Sequence, residues 1–120
     1  MKEAYTTGLT GEAAAEAYLT GRGMTVLARR YRAADGEIDL IMADGDTVVF
    51  VEVKTRPSAR RGAGLQAITP AKQRRMLHAA QMYAAEQGLT DVPMRFDVVE
   101  LTRDGVLHLP NVLLRPKRRE

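Results

Sequence analysis

The residues best suited to chemistry lie in two apolar segments, residues 36–42 and 48–56, which a short polar turn separates. Both segments are rich in β-branched residues, and the Asp44-Gly45 pair between them is a hairpin signal. The sequence therefore predicts two neighbouring strands. Three charged residues interrupt their apolar pattern: Asp39, Glu52 and Lys54.

The faces of these strands decide whether the three charges meet. Glu52 and Lys54 are two positions apart, so they project from the same face of the predicted strand. A two-residue loop formed by the Asp-Gly pair would put Asp39 opposite Phe50, on the face of Glu52. A four-residue loop keeps this arrangement, whereas a three-residue loop turns Asp39 to the other face.

Two carboxylates and an ammonium on one face of a half-buried sheet are costly unless they are paired or bound to a cation. Mg²⁺ typically takes one or two carboxylates and keeps water and substrate phosphate as its other ligands. A neighbouring lysine can hold the attacking water or neutralise charge on the phosphate. The pattern predicts a phosphodiester-cleaving site with Mg²⁺ or Mn²⁺. The alternative is a Glu52–Lys54 surface ion pair on an edge strand, because this spacing also occurs by chance.

Five stretches spread over residues 8–112 carry a resemblance to a known family: Gly11-Glu12-Ala13, Gly36-Glu37-Ile38-Asp39-Leu40-Ile41, Phe50-Val51-Glu52-Val53-Lys54-Thr55-Arg56, Lys72-Gln73 and Arg95-Phe96-Asp97-Val98-Val99. With them the chain resembles the YraN-like family of small bacterial predicted endonucleases and, more distantly, archaeal Holliday junction resolvases. The resemblance implies a restriction-endonuclease-like α/β fold, in which helices flank a mixed central β-sheet.

The same resemblance implies a PD-(D/E)xK catalytic core made of Asp39, Glu52 and Lys54, with the two acids as metal ligands. It also implies that Glu12, in the first helix, is a further catalytic and metal-binding acid. On spacing alone, Glu12 and Glu16 are two solvated acids on one helix face. The proline of the PD half is absent, because Ile38 precedes Asp39.

Charge is distributed unevenly along the chain. Residues 1–52 carry five basic and nine acidic residues, whereas residues 53–120 carry thirteen and six. A basic surface beside an acidic pocket suits a phosphodiesterase that acts on nucleic acid, although a generally solvated surface is the alternative. The predicted nucleic-acid contacts are Arg30, Arg32, Arg56, Arg60, Arg61, Lys72, Gln73, Arg74 and Arg75.

The chain length of 120 residues predicts one domain, with flexible tails at residues 1–7 and 115–120 and a mobile loop at residues 57–68. The absence of cysteine excludes disulfides and thiolate metal sites. We find no signal-peptide pattern and no apolar run of the ~20 residues that a membrane span needs. A cytoplasmic protein without a membrane partner is expected.

The elements are predicted in the order α, β, β, β, α, β, β. The first helix is predicted from Leu9 to Gly21 or Arg22, and its apolar stripe includes Ala13 and Ala17. The second helix is predicted to start at Thr69-Pro70 and to end at Gln87. Its predicted buried stripe is Met76, Leu77, Ala80, Tyr83 and Ala84. A parallel crossover is predicted from residues 48–54 to residues 94–101.

Three functions remain open from the sequence. The first is a metal-dependent endonuclease acting on DNA, with branched or junction DNA as a candidate substrate. Two-fold symmetry would suit the cutting of two strands, so a homodimer is expected from the resemblance alone, since the sequence shows no dimerisation signature. The second is a non-catalytic nucleic-acid-binding module of the same fold. The third is a protein-interaction adaptor that uses an apolar strand face.

Overall fold

The computed structural model describes residues 8–56 and 68–112. Their elements follow the chain as α1 (Gly8–Gly21), β1 (Thr25–Ala33), β2 (Gly36–Asp44), β3 (Thr47–Arg56), α2 (Pro70–Glu86), β4 (Met94–Thr102) and β5 (Gly105–Leu109). The five strands form one mixed sheet and the two helices pack against it. The predicted element order and α/β fold class are confirmed, and the architecture is consistent with a restriction-endonuclease-like domain.

The strands are arranged in the sheet in their chain order, from β1 to β5. Each neighbouring pair is antiparallel except β3 and β4, which run parallel. Parallel neighbours need a crossover connection, and α2 lies in the segment that provides it. The crossover expected from the sequence is therefore present, and it brings α2 over the central strand β3.

The core is divided between the two faces of the sheet. One cluster lies under α1 and includes Leu19, Val49 and Leu101; the other lies under α2 and includes Phe50 and Tyr83. Alternate residues of β3 thus face opposite helices, as the period of a strand requires. Because Glu52 and Lys54 follow Phe50 at this period, both lie on the α2 face.

The buried stripe of α1 differs from the predicted one. Ala13 and Ala17 are exposed, whereas Gly11, Ala15 and Leu19 are buried against the sheet. The run of alanines is apolar on every side, so the pattern alone could not select a face. Close packing selected it instead, because a Cβ atom at Gly11 would overlap the side chain of Thr55.

Helix α2 begins as the sequence predicts. The hydroxyl of Thr69 accepts a hydrogen bond from the backbone N–H of Lys72 at 3.1 Å, and Pro70 occupies the first turn. The buried residues of α2 are Met76, Ala79, Ala80, Tyr83 and Ala84. Of the predicted stripe only Leu77 is wrong, because 43% of its surface is exposed while Ala79 takes the inward position.

The β2–β3 hairpin has a different register from the predicted one. Asp44 pairs with Thr47, so the two loop residues are Gly45 and Asp46. Gly45 has φ 60°, and glycine at the first loop position is typical of a type II′ turn, which explains the shift. The shift moves the pairing by two residues, and Asp39 therefore stays on the predicted face.

Several predicted segments lie outside the described residues: the tails 1–7 and 115–120, and residues 57–67 of the predicted mobile loop. Arg60 and Arg61, two predicted nucleic-acid contacts, are among them. Within the part of the chain that the structure describes, neither helix is long and apolar enough to cross a bilayer.

Candidate metal and phosphate site

Asp39 lies where β2 separates from β3. The pairing of the two strands runs from Asp44–Thr47 to Leu40–Val51, and Asp39 follows directly on β2. Its Oδ2 accepts a hydrogen bond of 2.7 Å from the backbone N–H of Val53. The carboxylate thus takes the place of a backbone acceptor in the ladder, which fixes its position beside Glu52.

Glu52 is almost fully buried on the same face and contacts two ammonium groups. Its Oε2 lies 3.0 Å from Nζ of Lys54 and 3.1 Å from Nζ of Lys72. Only 7% of the Glu52 side chain is exposed, compared with 18% for Lys54 and 29% for Lys72. A carboxylate this deeply buried requires such partners, because an unpaired charge there would be strongly destabilising.

The environment of Asp39 opposes its ionisation. Burial is the largest cause that raises the pKa of Asp39, to about 7, and the negative charge of Glu52 is the next. The charges of Glu12 and Glu37 raise it further, whereas the hydrogen bond from Val53 lowers it. A cation that lies between two carboxylates removes their mutual repulsion. Among residues 8–56 and 68–112, no cationic side chain forms an ion pair with Asp39 to offset this repulsion.

Glu12 reaches this region from α1 and is held by Arg30. Nη1 of Arg30 is 3.0 Å from Oε1 of Glu12, and its Nε is 3.8 Å from Oε2 of Glu37. Arg30 has a left-handed backbone with φ 51°, which is uncommon for a residue other than glycine. Arg29 pairs with Leu40 and Tyr31 pairs with Ile38, so Arg30 lies opposite Asp39 in the sheet.

Asp39 and Glu52 lie together at a pocket of about 160 Å³. Asp39 and Glu52 line it together with residues of β2 and α2: Gly36, Glu37, Lys72, Arg75 and Met76. Among the described residues, no three His, Asp or Glu side chains are close enough to hold a metal ion by themselves. A Mg²⁺ ion that binds two carboxylates and keeps water and phosphate as its other ligands fits this set.

The predicted nucleic-acid contacts fall into two groups. Three of them form ion pairs with acids of the site. Arg30 contacts Glu12, Lys72 contacts Glu52, and Nη2 of Arg32 lies 3.9 Å from Glu37. Gln73 donates to the carbonyl of Ile68 at 3.5 Å. The remaining three are exposed and form no ion pair with any residue in the described ranges: Arg56, Arg74 and Arg75.

Sequence reasoning therefore missed the position of Lys72. It was predicted as a surface contact for nucleic acid, but it lies in the pocket beside Glu52. The available signal was its place in the first turn of α2, where a cation opposes the helix dipole and therefore contributes little to the helix itself.

A second buried aspartate lies on the other face of the sheet. Asp97 is fully buried and accepts hydrogen bonds from His108 (2.7 Å), Arg95 (3.1 Å) and the backbone of Asn111 (3.0 Å). Burial raises its pKa, but the hydrogen bonds from these partners outweigh burial and hold the pKa below its usual range. The structural interaction expected for Asp97 is present. A cavity of about 490 Å³ lies beside His108, away from the acid pocket.

The fold is that of an α/β protein and is consistent with a restriction-endonuclease-like domain, and two acids and a lysine lie on its central strands β2 and β3. Comparison with known proteins gives the family: residues 11–101 match the profile described as "Uncharacterised protein family UPF0102". The chain belongs to this family, and the resemblance to the YraN-like family is confirmed.

Relatives from distant bacteria match most of the chain. A UPF0102 protein of Symbiobacterium thermophilum is 50% identical over 78% of this chain and 80% of its own length. Another, of Alkalilimnicola ehrlichii, is 49% identical over 82% of this chain and 78% of its own. A third, of Mycolicibacterium vanbaalenii, is 46% identical over 88% of this chain and 86% of its own length. None of these names states an activity, so activity must be argued from the site.

Proposed function

We propose that this protein is a Mg²⁺- or Mn²⁺-dependent endonuclease that hydrolyses phosphodiester bonds in DNA. The observation that carries the proposal is the shared pocket of Asp39 and Glu52, with Lys54 bound to Glu52 at 3.0 Å. Carboxylate oxygens are the ligands that Mg²⁺ prefers. A structural ion pair would explain Glu52 and Lys54, but it would not explain an aspartate buried next to Glu52 without a cation of its own.

Asp39 and Glu52 are the residues that would hold the ion. Such an ion would supply Lewis-acid polarisation of the phosphate and would make a water molecule more acidic. Asp39 is suited to this role because Val53 fixes its Oδ2, and no other group of the described residues hydrogen-bonds to the carboxylate. It must lose its proton before it binds a metal, so binding weakens as the pH falls below about 7.

Lys54 is placed close to the reacting groups, since its ammonium lies 3.0 Å from Oε2 of Glu52. A lysine there can orient the attacking water or neutralise charge that develops on the phosphate. Glu12 adds a third acid near Asp39, and Arg30 holds it in position at 3.0 Å. Because Glu12 does not complete a three-acid site with Asp39 and Glu52, it would support the ion through a water molecule.

The exposed cations Arg56, Arg74 and Arg75 support nucleic acid as the partner. They lie on β3 and α2 and have no carboxylate partner among the described residues. Arginine side chains free of acids are suited to bind phosphates, and such binding weakens steeply with salt. Two sites on a homodimer would suit the two strands of a DNA junction.

The test is cleavage of single-stranded, flapped and four-way-junction DNA with Mg²⁺ or Mn²⁺, with RNA of the same sequence alongside. Wild-type protein is expected to cut DNA, Asp39→Ala and Glu52→Ala to abolish the cutting, and Asp46→Ala to leave it unchanged. Asp46 is the matched control because it is an exposed hairpin acid outside the pocket.

Cleavage that persists in Asp39→Ala protein purified in the same way would reject the proposal, because the activity would then be a contaminant or a different site. Salt-dependent DNA binding that survives Glu52→Ala, without cleavage by the wild type, would instead establish the non-catalytic binding module. Absence of DNA binding at physiological salt would leave the adaptor.

A further inference from the structure

The positive charges at the acid pocket are divided unequally between its two carboxylates. Lys54 and Lys72 both contact the same oxygen of Glu52, at 3.0 and 3.1 Å. In the described part of the chain, no lysine or arginine forms an ion pair with Asp39. One ammonium is enough to neutralise one carboxylate, so the second ammonium on Glu52 calls for another explanation.

We propose that Lys72 is a phosphate-binding residue of the active site, and that an ion pair with Glu52 holds its ammonium until a divalent ion takes over the Glu52 carboxylate. Lys72 then contacts the phosphodiester that is to be cut. The inference rests on the proposed function, but it adds a second lysine, from α2, to the one that β3 supplies.

The size of the pocket supports this role and limits the substrate. At about 160 Å³ the pocket is roughly half the lower limit of about 300 Å³ for sites that enclose a drug-sized ligand. It can take a phosphate group with its water but not a nucleoside. Among the described residues, no aromatic side chain lines it on which a base could stack. Binding at the pocket is therefore independent of base sequence.

The placement of Lys72 on α2 also supports a role in phosphate binding. Lys72 and Arg75 are three residues apart, on one side of the helix, and both line the pocket. Lys72 is the more exposed of the two lysines on Glu52, so its ammonium is the one that a phosphate arriving from solvent can reach. Lys54 is nearer the metal-binding acids along the strand and remains the lysine of the ExK motif.

The experiment measures how DNA binding depends on salt, with and without a divalent ion. A fluorescently labelled single-stranded oligonucleotide is titrated at several salt concentrations, once in EDTA and once in Ca²⁺, which also binds carboxylate oxygens. The proteins are wild type, Lys72→Met and Arg74→Met. Arg74 is the matched control because it is exposed on the same helix and does not line the pocket.

Lys72→Met is expected to reduce the slope of log K against log salt by about one in Ca²⁺ and by much less in EDTA, because the ion pair with Glu52 keeps the Lys72 ammonium from the DNA phosphate when no ion is bound. Any change with Arg74→Met should be equal in both buffers. Lys72→Met should also bind Mn²⁺ about three- to tenfold more tightly than wild type, since one competitor for Glu52 is gone. Lys72→Gln repeats both measurements if methionine disturbs the fold.

Equal slope changes in EDTA and Ca²⁺, or none in either, would overturn the inference, and so would Mn²⁺ affinity that is unchanged or lower. These outcomes separate it from the proposed function. A protein with the Ca²⁺-dependent slope that cuts no DNA would reject the hydrolysis and keep the role of Lys72. A protein that cuts DNA without that slope difference would reject the role of Lys72 alone.

Discussion

Two aspartates of the sheet, the half-buried Asp39 and the fully buried Asp97, have opposite environments. Asp97 accepts hydrogen bonds from Arg95, from His108 and from a backbone N–H, and its pKa is lowered. Asp39 has one backbone donor and acidic neighbours, and its pKa is raised to about 7. The first arrangement stabilises the folded chain. The second costs stability in the metal-free protein, a cost that the proposed divalent ion would relieve.

The largest effect that would test this comparison is the loss of Asp97. Asp97→Ala leaves Arg95 and His108 without their buried acceptor, so we expect the free energy of unfolding to fall by about 3–5 kcal/mol. Urea unfolding at pH 7 measures it. The exposed Asp46→Ala should stay within about 0.5 kcal/mol of wild type. A loss of less than 1 kcal/mol at Asp97 would mean that its partners are satisfied without it.

The opposite change is expected at Asp39. Asparagine can still accept the hydrogen bond from Val53 but carries no charge, so Asp39→Asn should stabilise the metal-free protein at pH 8 by about 2–4 kcal/mol. Between its ordinary pKa of 3.8 and about 7, the folded state holds a proton on Asp39 that the unfolded chain has lost. Wild-type stability from this group therefore falls as the pH rises through that window.

Asp97 has the reverse dependence, because its lowered pKa gives stability that is present above its ordinary pKa of 3.8 and lost as the pH falls through the folded value. Urea unfolding in EDTA from pH 3 to pH 8 distinguishes the two. The difference between Asp39→Asn and wild type should vanish near pH 4. A difference that is constant with pH would show that Asp39 is not strained by its charge.

A smaller effect concerns how α1 brings Glu12 towards the site. Gly11→Ala would place a methyl group against Thr55, and we expect a loss of about 1–3 kcal/mol in thermal or urea unfolding. Gly21→Ala is the matched control, because nothing lies within 4 Å of its added Cβ. It should be neutral or slightly stabilising. Equal effects of both substitutions would mean that α1 can move away from β3 freely.

The sequence was sufficient for the strands and for the face of Asp39, because alternation is a local property of β2 and β3. It was insufficient for the hairpin register, which depended on where Gly45 could adopt φ 60°. It was also insufficient for the packed side of α1, where alanines surround the helix and only the contact of Gly11 with Thr55 selects a face.

The candidate site was predictable in the same uneven way. Asp39, Glu52 and Lys54 were found from their spacing and from the family resemblance, and the structure brings them together at one pocket or ion pair. Lys72 and Arg30 were assigned to nucleic acid because a cation in sequence carries no sign of its partner. Their ion pairs with Glu52 and Glu12 join residues 20 and 18 positions apart, which only the tertiary fold specifies.

The central claim is that Asp39 and Glu52 share one divalent ion, and a crystal soaked in Mn²⁺ tests it most directly. The account predicts an anomalous peak about 2.0–2.2 Å from a carboxylate oxygen of each residue at pH 8, and no peak in Asp39→Asn crystals. A peak elsewhere, or none at millimolar Mn²⁺ with both carboxylates still bonded to protein groups alone, would contradict it.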